Sequence, residues 1–587
     1  MSELIGASAD PGVPPGADAP GEFDALEGDH PGGGAGGGGG TSGSGGSRAS
    51  GALRRATVGM AVGTGLSRLT GVGRVLALAW ALGFTRLADA YNLANTTPNM
   101  LYDIVLGGVL SATFIPVFVD RLARRSEREA WRAISAIITL SAVILVGATV
   151  VFFAAAPLVI NALTAFDHPG TALGQAAVAN QRAVATTLLR WFVPQVALYG
   201  FISLATALLN TRRRFLAPMW VPIANNLVCI AVLVWFRQVA GPHPTLLGAR
   251  LNPHQLVLLG LGTTLGVAVQ ALLLVPSLGR AQLRRLRWRW EPGHEAVRQV
   301  LRLGAWTFGF VVANQVALFI VLALAAGAGG PAPVSSYTYA YTFLQMPYAV
   351  VTVSIMSAVT PDLAERWARH EMGPFKRRLS GGLRAMLAII IPASVGMVLV
   401  AKPAVALLLG HGAGAVTSTG STGAALALFG LGLPGFCTFL YVVRVLQSMQ
   451  RTRVAFWLYL MENGINVVLA LALVHPLGVR GLALSLSIAY TVAALAGLAV
   501  LRGWLGPLGD ARTWAPLRRV CGASAVMGVV VLVVLNVSGA TQGPLLAARV
   551  LGAIVVGTLA FGATVALLAA REDRRRQARR LATGGRR

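Results

Sequence analysis

The chain has 587 residues, of which 55% are hydrophobic and only 12% are charged. Soluble proteins carry about 25% charged residues. This composition therefore excludes a soluble multidomain protein and predicts a membrane protein with many spans. The formal net charge of +27 does not indicate a nucleic-acid partner, because the basic residues lie in short clusters between apolar stretches. Such clusters face membrane lipids and set the orientation of the chain.

The first predicted element is a tail, residues 1–52. It is rich in glycine and acidic residues, and its first basic residue is Arg48. This composition cannot form a packed core and predicts disorder. A secretory signal would begin with basic residues, so we expect the tail to be retained.

Fourteen apolar stretches of membrane-spanning length follow. The first two cover 57–84 and 88–119, and the other twelve lie between 133 and 569. Most basic residues fall in alternate loops, which by the positive-inside rule places both termini in the cytoplasm.

An internal repeat predicts how these spans are grouped. Pro116 and Pro361 are each followed, four residues later, by an acidic residue and an arginine. Both copies end a span on the same predicted side, so spans 1–6 and 7–12 are expected to form two related six-helix lobes. The predicted organisation is a disordered Gly-rich cytoplasmic tail (1–52), an N-lobe (53–280), a basic cytoplasmic linker (281–298), a C-lobe (299–502), two further spans (503–570) and a basic cytoplasmic tail (571–587).

The second span carries a regular row of polar side chains. Asp89, Asn92, Thr96, Asn99 and Asp103 are spaced three and four residues apart, which places them on one face of a helix. Lipid cannot solvate that face, so it lines a helix interface or a cavity.

The first span adds Ser67, Arg68 and Arg74 at membrane depth. Charges there are costly unless they face water or a partner. Two cations and one acid in neighbouring helices suggest a hydrated cavity for an anionic ligand, in which Asp103 pairs with an arginine when the cavity is empty. The alternative is that such groups only hold helices together, and we favour it for other polar residues, namely Asn225, Asn226, Asn463 and Asn466.

The eighth span carries a weaker, uncharged counterpart of the polar row, Thr338, Tyr341 and Gln345. No pattern typical of a catalytic or metal site occurs in the sequence. We therefore expect a non-enzymatic protein without cofactor, coupled to the membrane potential or an ion gradient. The candidate substrate-binding residues are Ser67, Arg68, Arg74, Asp89, Asn92, Asn99, Tyr102, Asp103, Ser335, Tyr341 and Gln345.

Several of these motifs resemble the MurJ (MviN) family: Leu66-Ser67-Arg68, Ala88-Asp89-Ala90-Tyr91-Asn92 and Pro98-Asn99-Met100, with Tyr102-Asp103 similar to its actinobacterial branch. The resemblance implies the fold of the multidrug/oligosaccharidyl-lipid/polysaccharide exporter superfamily, with two lobes and two extra C-terminal helices. It implies a bacterial inner-membrane flippase that moves lipid II, the lipid-linked peptidoglycan precursor, to the outer leaflet by alternating access. It also implies that Ser67, Arg68 and Arg74 line the N-lobe cavity.

The sequence departs from the family at two places. Other branches carry an arginine where this chain has Tyr102, and an Asp-Arg pair where it has Tyr341-Thr342. These departures leave open an exporter of another polyprenyl-linked saccharide. A drug or cation antiporter of the same superfamily would require acids in its cavity, and a scaffold would recruit cell-wall synthesis or division proteins through its tails. The predicted positive cavity favours the flippase.

Overall fold

The computed structural model describes residues 45–107, 126–212, 214–413, 416–509, 511–537 and 543–584. Over these ranges the chain is helical and contains no strand, which confirms the predicted all-α fold. Most of the Gly-rich tail, and the first copy of the internal repeat, lie outside the described residues.

The described part of the first half of the chain supplies eight α-helices, one of them only six residues long. They are α1 (Gly45–Leu82), α2 (Arg86–Tyr102), α3 (Glu127–Leu163), α4 (Ala172–Phe192), α5 (Gln195–Thr211), α6 (Leu216–Ala240), the short α7 (Leu246–Leu251) and α8 (Pro253–Arg285).

The second half supplies nine more described helices. They are α9 (Glu295–Ala326), α10 (Pro333–Pro347), α11 (Val353–Ala368), α12 (Met372–Leu409), α13 (Val416–Ser448), α14 (Thr452–Leu477), α15 (Val479–Leu505), α16 (Ala511–Val537) and α17 (Gly543–Gly584). Helix α1 begins at Gly45, inside the segment predicted as tail.

Twelve segments of the described chain are long and apolar enough to cross a membrane, and they correspond to predicted spans 3 to 14. The first two spans are not among them. Helix α1 has 38 residues, but Arg68 and Arg74 lower its hydropathy. Helix α2 has 17 residues before its geometry changes, and the chain beyond residue 107 is not described. The count of fourteen spans therefore stays a prediction.

The second and eighth spans are interrupted in the same way. In each, a proline lies inside the helix, Pro98 in α2 and Pro347 in α10, and a π-helical turn follows. These turns cover Asp103–Gly107 and Tyr348–Thr352. Proline removes one backbone donor from the helix, and π turns occur frequently at functional sites. The shared interruption supports the internal repeat, whereas the exact lobe boundaries stay a prediction.

Apolar packing joins the two halves at one end of the helices. One continuous buried cluster contains Leu82 and Leu87 from the first half together with Tyr339 and Leu409 from the second. A separate cluster fills the other end of the first half, around Trp131. Burial of aliphatic side chains at about 25 cal/mol per Å² of apolar surface stabilises both contacts.

The predicted linker runs along α3 before α9 begins. The backbone N–H groups of Arg287 and Arg289 donate hydrogen bonds to Ser135 Oγ (3.2 Å) and Thr139 Oγ1 (3.0 Å). Two side-chain acceptors one helical turn apart thus hold the linker segment against the helix.

An ion pair and apolar contacts extend this attachment. Glu291 Oε2 lies 3.1 Å from Arg132 Nε, and this hydrogen bond lowers the pKa of Glu291 below its ordinary value. The first turns of α9, through Val297 and Val300, pack into the cluster around Trp131. Helix α9 therefore starts on the N-lobe although most of it belongs to the predicted C-lobe.

Candidate functional site

Asp89 joins the two lobes by capping a helix of the opposite lobe. Its side chain is 2% exposed. Asp89 Oδ1 accepts hydrogen bonds from the backbone N–H (2.7 Å) and hydroxyl (2.6 Å) of Ser335, and Oδ2 accepts from the N–H of Val334 (3.4 Å). These N–H groups lie in the first turn of α10, where a helix has no internal acceptor for them and where negative charge is stabilised.

Asn92, one turn further along α2, completes this contact. Its Nδ2 donates to Ser335 Oγ at 2.9 Å. Asp89, Asn92 and Ser335 are called the latch below, and the end of the helices where they lie is the latch end. The sequence proposed all three as site residues, and the structure brings them together.

Other contacts close the latch end further. Phe84 meets Tyr339 edge to face, with ring centroids 5.7 Å apart, and the N–H of Ala413 donates to the carbonyl of Trp80 (3.2 Å). A Cβ added to Gly327 would lie 2.3 Å from the carbonyl oxygen of Phe166. Only a glycine permits so close an approach of the two backbones.

Arg74 lies half-buried inside the N-lobe, and its neighbours are phenols. Its guanidinium interacts with the hydroxyl of Tyr91 and lies near Tyr199 and Cys229, while Tyr91 also bonds Thr263 (3.0 Å). Within the described part of the chain no carboxylate pairs with it. A cation held by neutral hydroxyls keeps its full charge for a ligand, and guanidinium binds phosphate oxygens in a bidentate manner.

Asn99 and Tyr102 form the adjoining wall. Asn99 Nδ2 donates to the carbonyl of Asn95 (3.0 Å). The ring of Tyr102 lies 5.8 Å from that of Tyr199, and its hydroxyl bonds Ser203. Tyr102 thus presents a neutral hydroxyl that is anchored to α5.

Asp103 does not pair with Arg68 or Arg74, so the expected ion pair is wrong. Its carboxylate instead accepts a hydrogen bond from Gln315 Nε2 of α9 at 3.1 Å. Asp103 begins the π turn of the second span, so the periodicity of a straight helix does not apply to it. Arg74 is meanwhile directed toward the phenols of its own lobe.

Ser67 and Arg68 are neighbours on α1 but have different surroundings. The carbonyl of Ser67 accepts from Asn226 Nδ2 (3.2 Å), whereas the side chain of Arg68 is exposed. Arg68 lies within electrostatic reach of Tyr348 of the C-lobe, and so does Arg444 of α13. Arg444 was not among the candidate residues predicted from the sequence; its one signal there is an arginine inside an apolar stretch.

The C-lobe contributes an uncharged aromatic wall. Tyr341 stacks on Tyr337 with ring centroids 6.3 Å apart, contacts Phe429 and has its hydroxyl near Gln345. Tyr341 and Gln345 were both predicted site residues, and they lie together on α10.

Asn466 and Asn226 bond between helices, as predicted, whereas the bonds of Asn463 and Asn225 lie within their own helices. Asn466 Oδ1 accepts from Ser485 (3.0 Å), and Asn463 Nδ2 donates to the carbonyl of Tyr459 (2.8 Å). Asn226 bonds α1 as described, and Asn225 Oδ1 bonds Cys229. Bonds between helices, such as those of Asn466 and Asn226, hold membrane helices together.

Comparison with known proteins identifies the family. The family model described as "Lipid II flippase MurJ" matches residues 78–549. The probable lipid II flippase MurJ of Rhizobium meliloti is 27% identical over 464 residues, which cover 78% of this chain and 82% of the relative. The lipid II flippase MurJ of Burkholderia cenocepacia is 26% identical over 375 residues, 62% of this chain and 67% of the relative.

Two solved structures are similar to the fold. One, a lipid II flippase MurJ in an inward closed conformation, has a TM-score of 0.71 at 19% identity, with 87% of this chain and 99% of that chain covered. The other, an inward-facing multidrug transporter of the same superfamily, has a TM-score of 0.60 at 16% identity, with 75% and 95% covered. The family match extends over most of the chain and includes the latch residues and Tyr102, and this chain therefore belongs to the MurJ family of lipid II flippases.

Proposed function

We propose that this protein translocates lipid II from the inner to the outer leaflet of a bacterial cytoplasmic membrane, with both termini in the cytoplasm. The observation that carries the proposal is Arg74, a half-buried cation among hydroxyls that no carboxylate of the described residues neutralises. The pyrophosphate of a lipid-linked saccharide supplies the missing negative charge. A cationic drug would be repelled by the same site.

An apolar groove gives the polyprenyl tail a place outside this polar region. The groove has a volume of about 510 Å³ and lies where α10, α12 and α13 approach the two C-terminal helices. Its lining includes Phe343, Met397, Met527 and Phe561. Long flexible apolar side chains accommodate an isoprenoid chain without a fixed shape.

The latch supplies one state of an alternating-access cycle. With the termini in the cytoplasm, the latch end faces outward, so the present conformation is closed to the outside. Rocking of the lobes would open the latch end and carry the headgroup across. Lipid II drives this change only insofar as it binds the open state more tightly than the closed one.

The experiment replaces the resident flippase by variants of this chain and measures lipid II accessibility at the outer surface after depletion. Arg74→Ala is expected to remove accessible lipid II while the protein still accumulates. Arg190→Ala is the matched control, because Arg190 is exposed on α4 and packs over Phe153; it should transport normally. Equal transport by Arg74→Ala would refute the role of the cavity. If the protein does not move lipid II but moves a polyprenyl pyrophosphate bearing another saccharide, that lipid is its substrate.

A further inference from the structure

Glu462 is a buried acid that the proposed cavity does not use. It lies in α14, in the interior of the C-lobe, and is 1% exposed. Its Oε2 atom is buried and has no hydrogen-bond partner among the residues that the structure describes. An ionised carboxylate buried without a partner costs several kcal/mol, so this conformation stabilises the neutral acid.

The titratable groups that the structure describes around Glu462 are phenols. Tyr337 and Tyr341 of α10, Tyr459 of α14 and Tyr490 of α15 lie within electrostatic reach of its carboxyl. Helix α9 packs against α14 through Phe310, whose ring stacks on Tyr459 at 4.9 Å.

A cation on a neighbouring helix, Arg444 of α13, lies close to one of these phenols. Arg444 lies near Tyr459 and forms its own hydrogen bond with Gln447 (3.3 Å). Within the part of the chain that the structure describes, no base forms an ion pair with Glu462.

Helix α10 connects this acid to the latch. Ser335, which is held by Asp89, is two residues before Tyr337 and six before Tyr341. Release of Ser335 frees the first turn of α10, and the phenols that cover Glu462 lie in the next turns. A shift of the first turns of α10 when the latch opens therefore changes the surroundings of the acid.

We propose that Glu462 is a proton-binding site that couples protonation to the latch: it holds a proton while the latch is closed and releases it when the latch opens. This inference rests on the proposed function, because it names an ion whose binding accompanies the flippase cycle. The step is the binding of one proton by a carboxylate and requires no other reactant. Since the closed state binds the proton more tightly, low pH favours the closed latch and high pH favours the open one.

The test measures a distance across the latch end as the pH is changed. Spin labels are placed at Leu173→Cys of α4, which is 87% exposed, and at His411→Cys, which is exposed beyond α12. The exposed Cys521 is replaced by serine, while Cys229 and Cys437 are buried. The full chain is reconstituted in lipid bilayers without substrate.

The wild-type distance is expected to lengthen as the pH rises. Glu462→Gln imitates the neutral acid and is expected to keep the short distance at every pH. Asn463→Ala, which removes a neighbouring buried amide that does not titrate, is the matched control and should respond as the wild type does. A wild-type distance independent of pH, or a Glu462→Gln variant that responds as the wild type does, would overturn the proposal.

Two further arms make the result decisive. If Glu462→Gln does not accumulate, Glu462→Asp takes its place: the acid is retained but repositioned, so the midpoint of the pH response must move, and an unmoved midpoint counts against the site. Lipid II is added in parallel. If lipid II changes the distance while pH does not, the flippase function stands and the proton site fails.

Discussion

The latch allows a quantitative prediction for Asp89→Asn. The amide keeps one acceptor oxygen, so it retains a bond to Ser335. Its NH2 group then faces the N–H of Val334, and the hydrogen bond from Val334 is lost. The lost bond contributes about 1 kcal/mol, and the lost charge at the first turn of α10 about 1–2 kcal/mol. We therefore expect the closed state to lose about 2–3 kcal/mol relative to the open state, a change of about 30-fold to 150-fold in their ratio.

The assay is the distance between labels at Leu173→Cys and His411→Cys at fixed pH. Asp89→Asn should populate the longer distance. Asp167→Asn is the matched control, since Asp167 lies at the same end but pairs with Arg86 of its own lobe (2.9 Å). It should leave the distance distribution unchanged. If Asp89→Asn and the wild type give the same distribution, the hydrogen bonds to α10 do not hold the lobes together and the reasoning is wrong.

Three further predictions follow from the same contacts. Arg74→Lys should bind lipid II about 10-fold to 100-fold more weakly than the wild type because it loses the bidentate geometry, and titration with labelled lipid II checks this. Asp103→Asn should retain the bond from Gln315 and complement growth to within about threefold of the wild type, since a neutral acceptor forms a slightly weaker bond; loss of complementation would show that its charge is needed. Gly327→Val should destabilise the closed state by about 1–3 kcal/mol, because its side chain would overlap the backbone of Phe166; a lengthened label distance at normal membrane abundance checks it.

The spans could be predicted from hydropathy because lipid imposes a uniform requirement on long apolar helices. Spans 3 to 14 correspond to helices of the structure. The first two spans contain the charges and polar groups of the site, and for that reason hydropathy identifies them least well. Crossing the membrane thus requires apolar side chains in these two spans, whereas the site requires polar and charged ones.

The site was predictable where it depends on one helix, and not where it depends on two. The spacing of Asp89 and Asn92 correctly placed them on one face, but nothing in that spacing shows that their partner is Ser335, far along the chain. The predicted partner of Asp103 was wrong because Asp103 begins a π turn, which changes the direction of its side chain. Arg444 was missed because its neighbour, Tyr348, belongs to another helix.

The attachment of α9 to the N-lobe determines how much motion the latch requires. Helix α9 has 32 residues and is therefore about 48 Å long, with the linker contacts at one end and the latch near the other. If the linker contacts act as a pivot, a tilt of only about 2° moves the far end by roughly 1.7 Å. Such a displacement takes the hydrogen bonds of Asp89 beyond bonding distance. A small angular change at the linker is thus geometrically amplified at the latch end, and substances that bind between the linker and α3 would act on the latch without contacting Arg74.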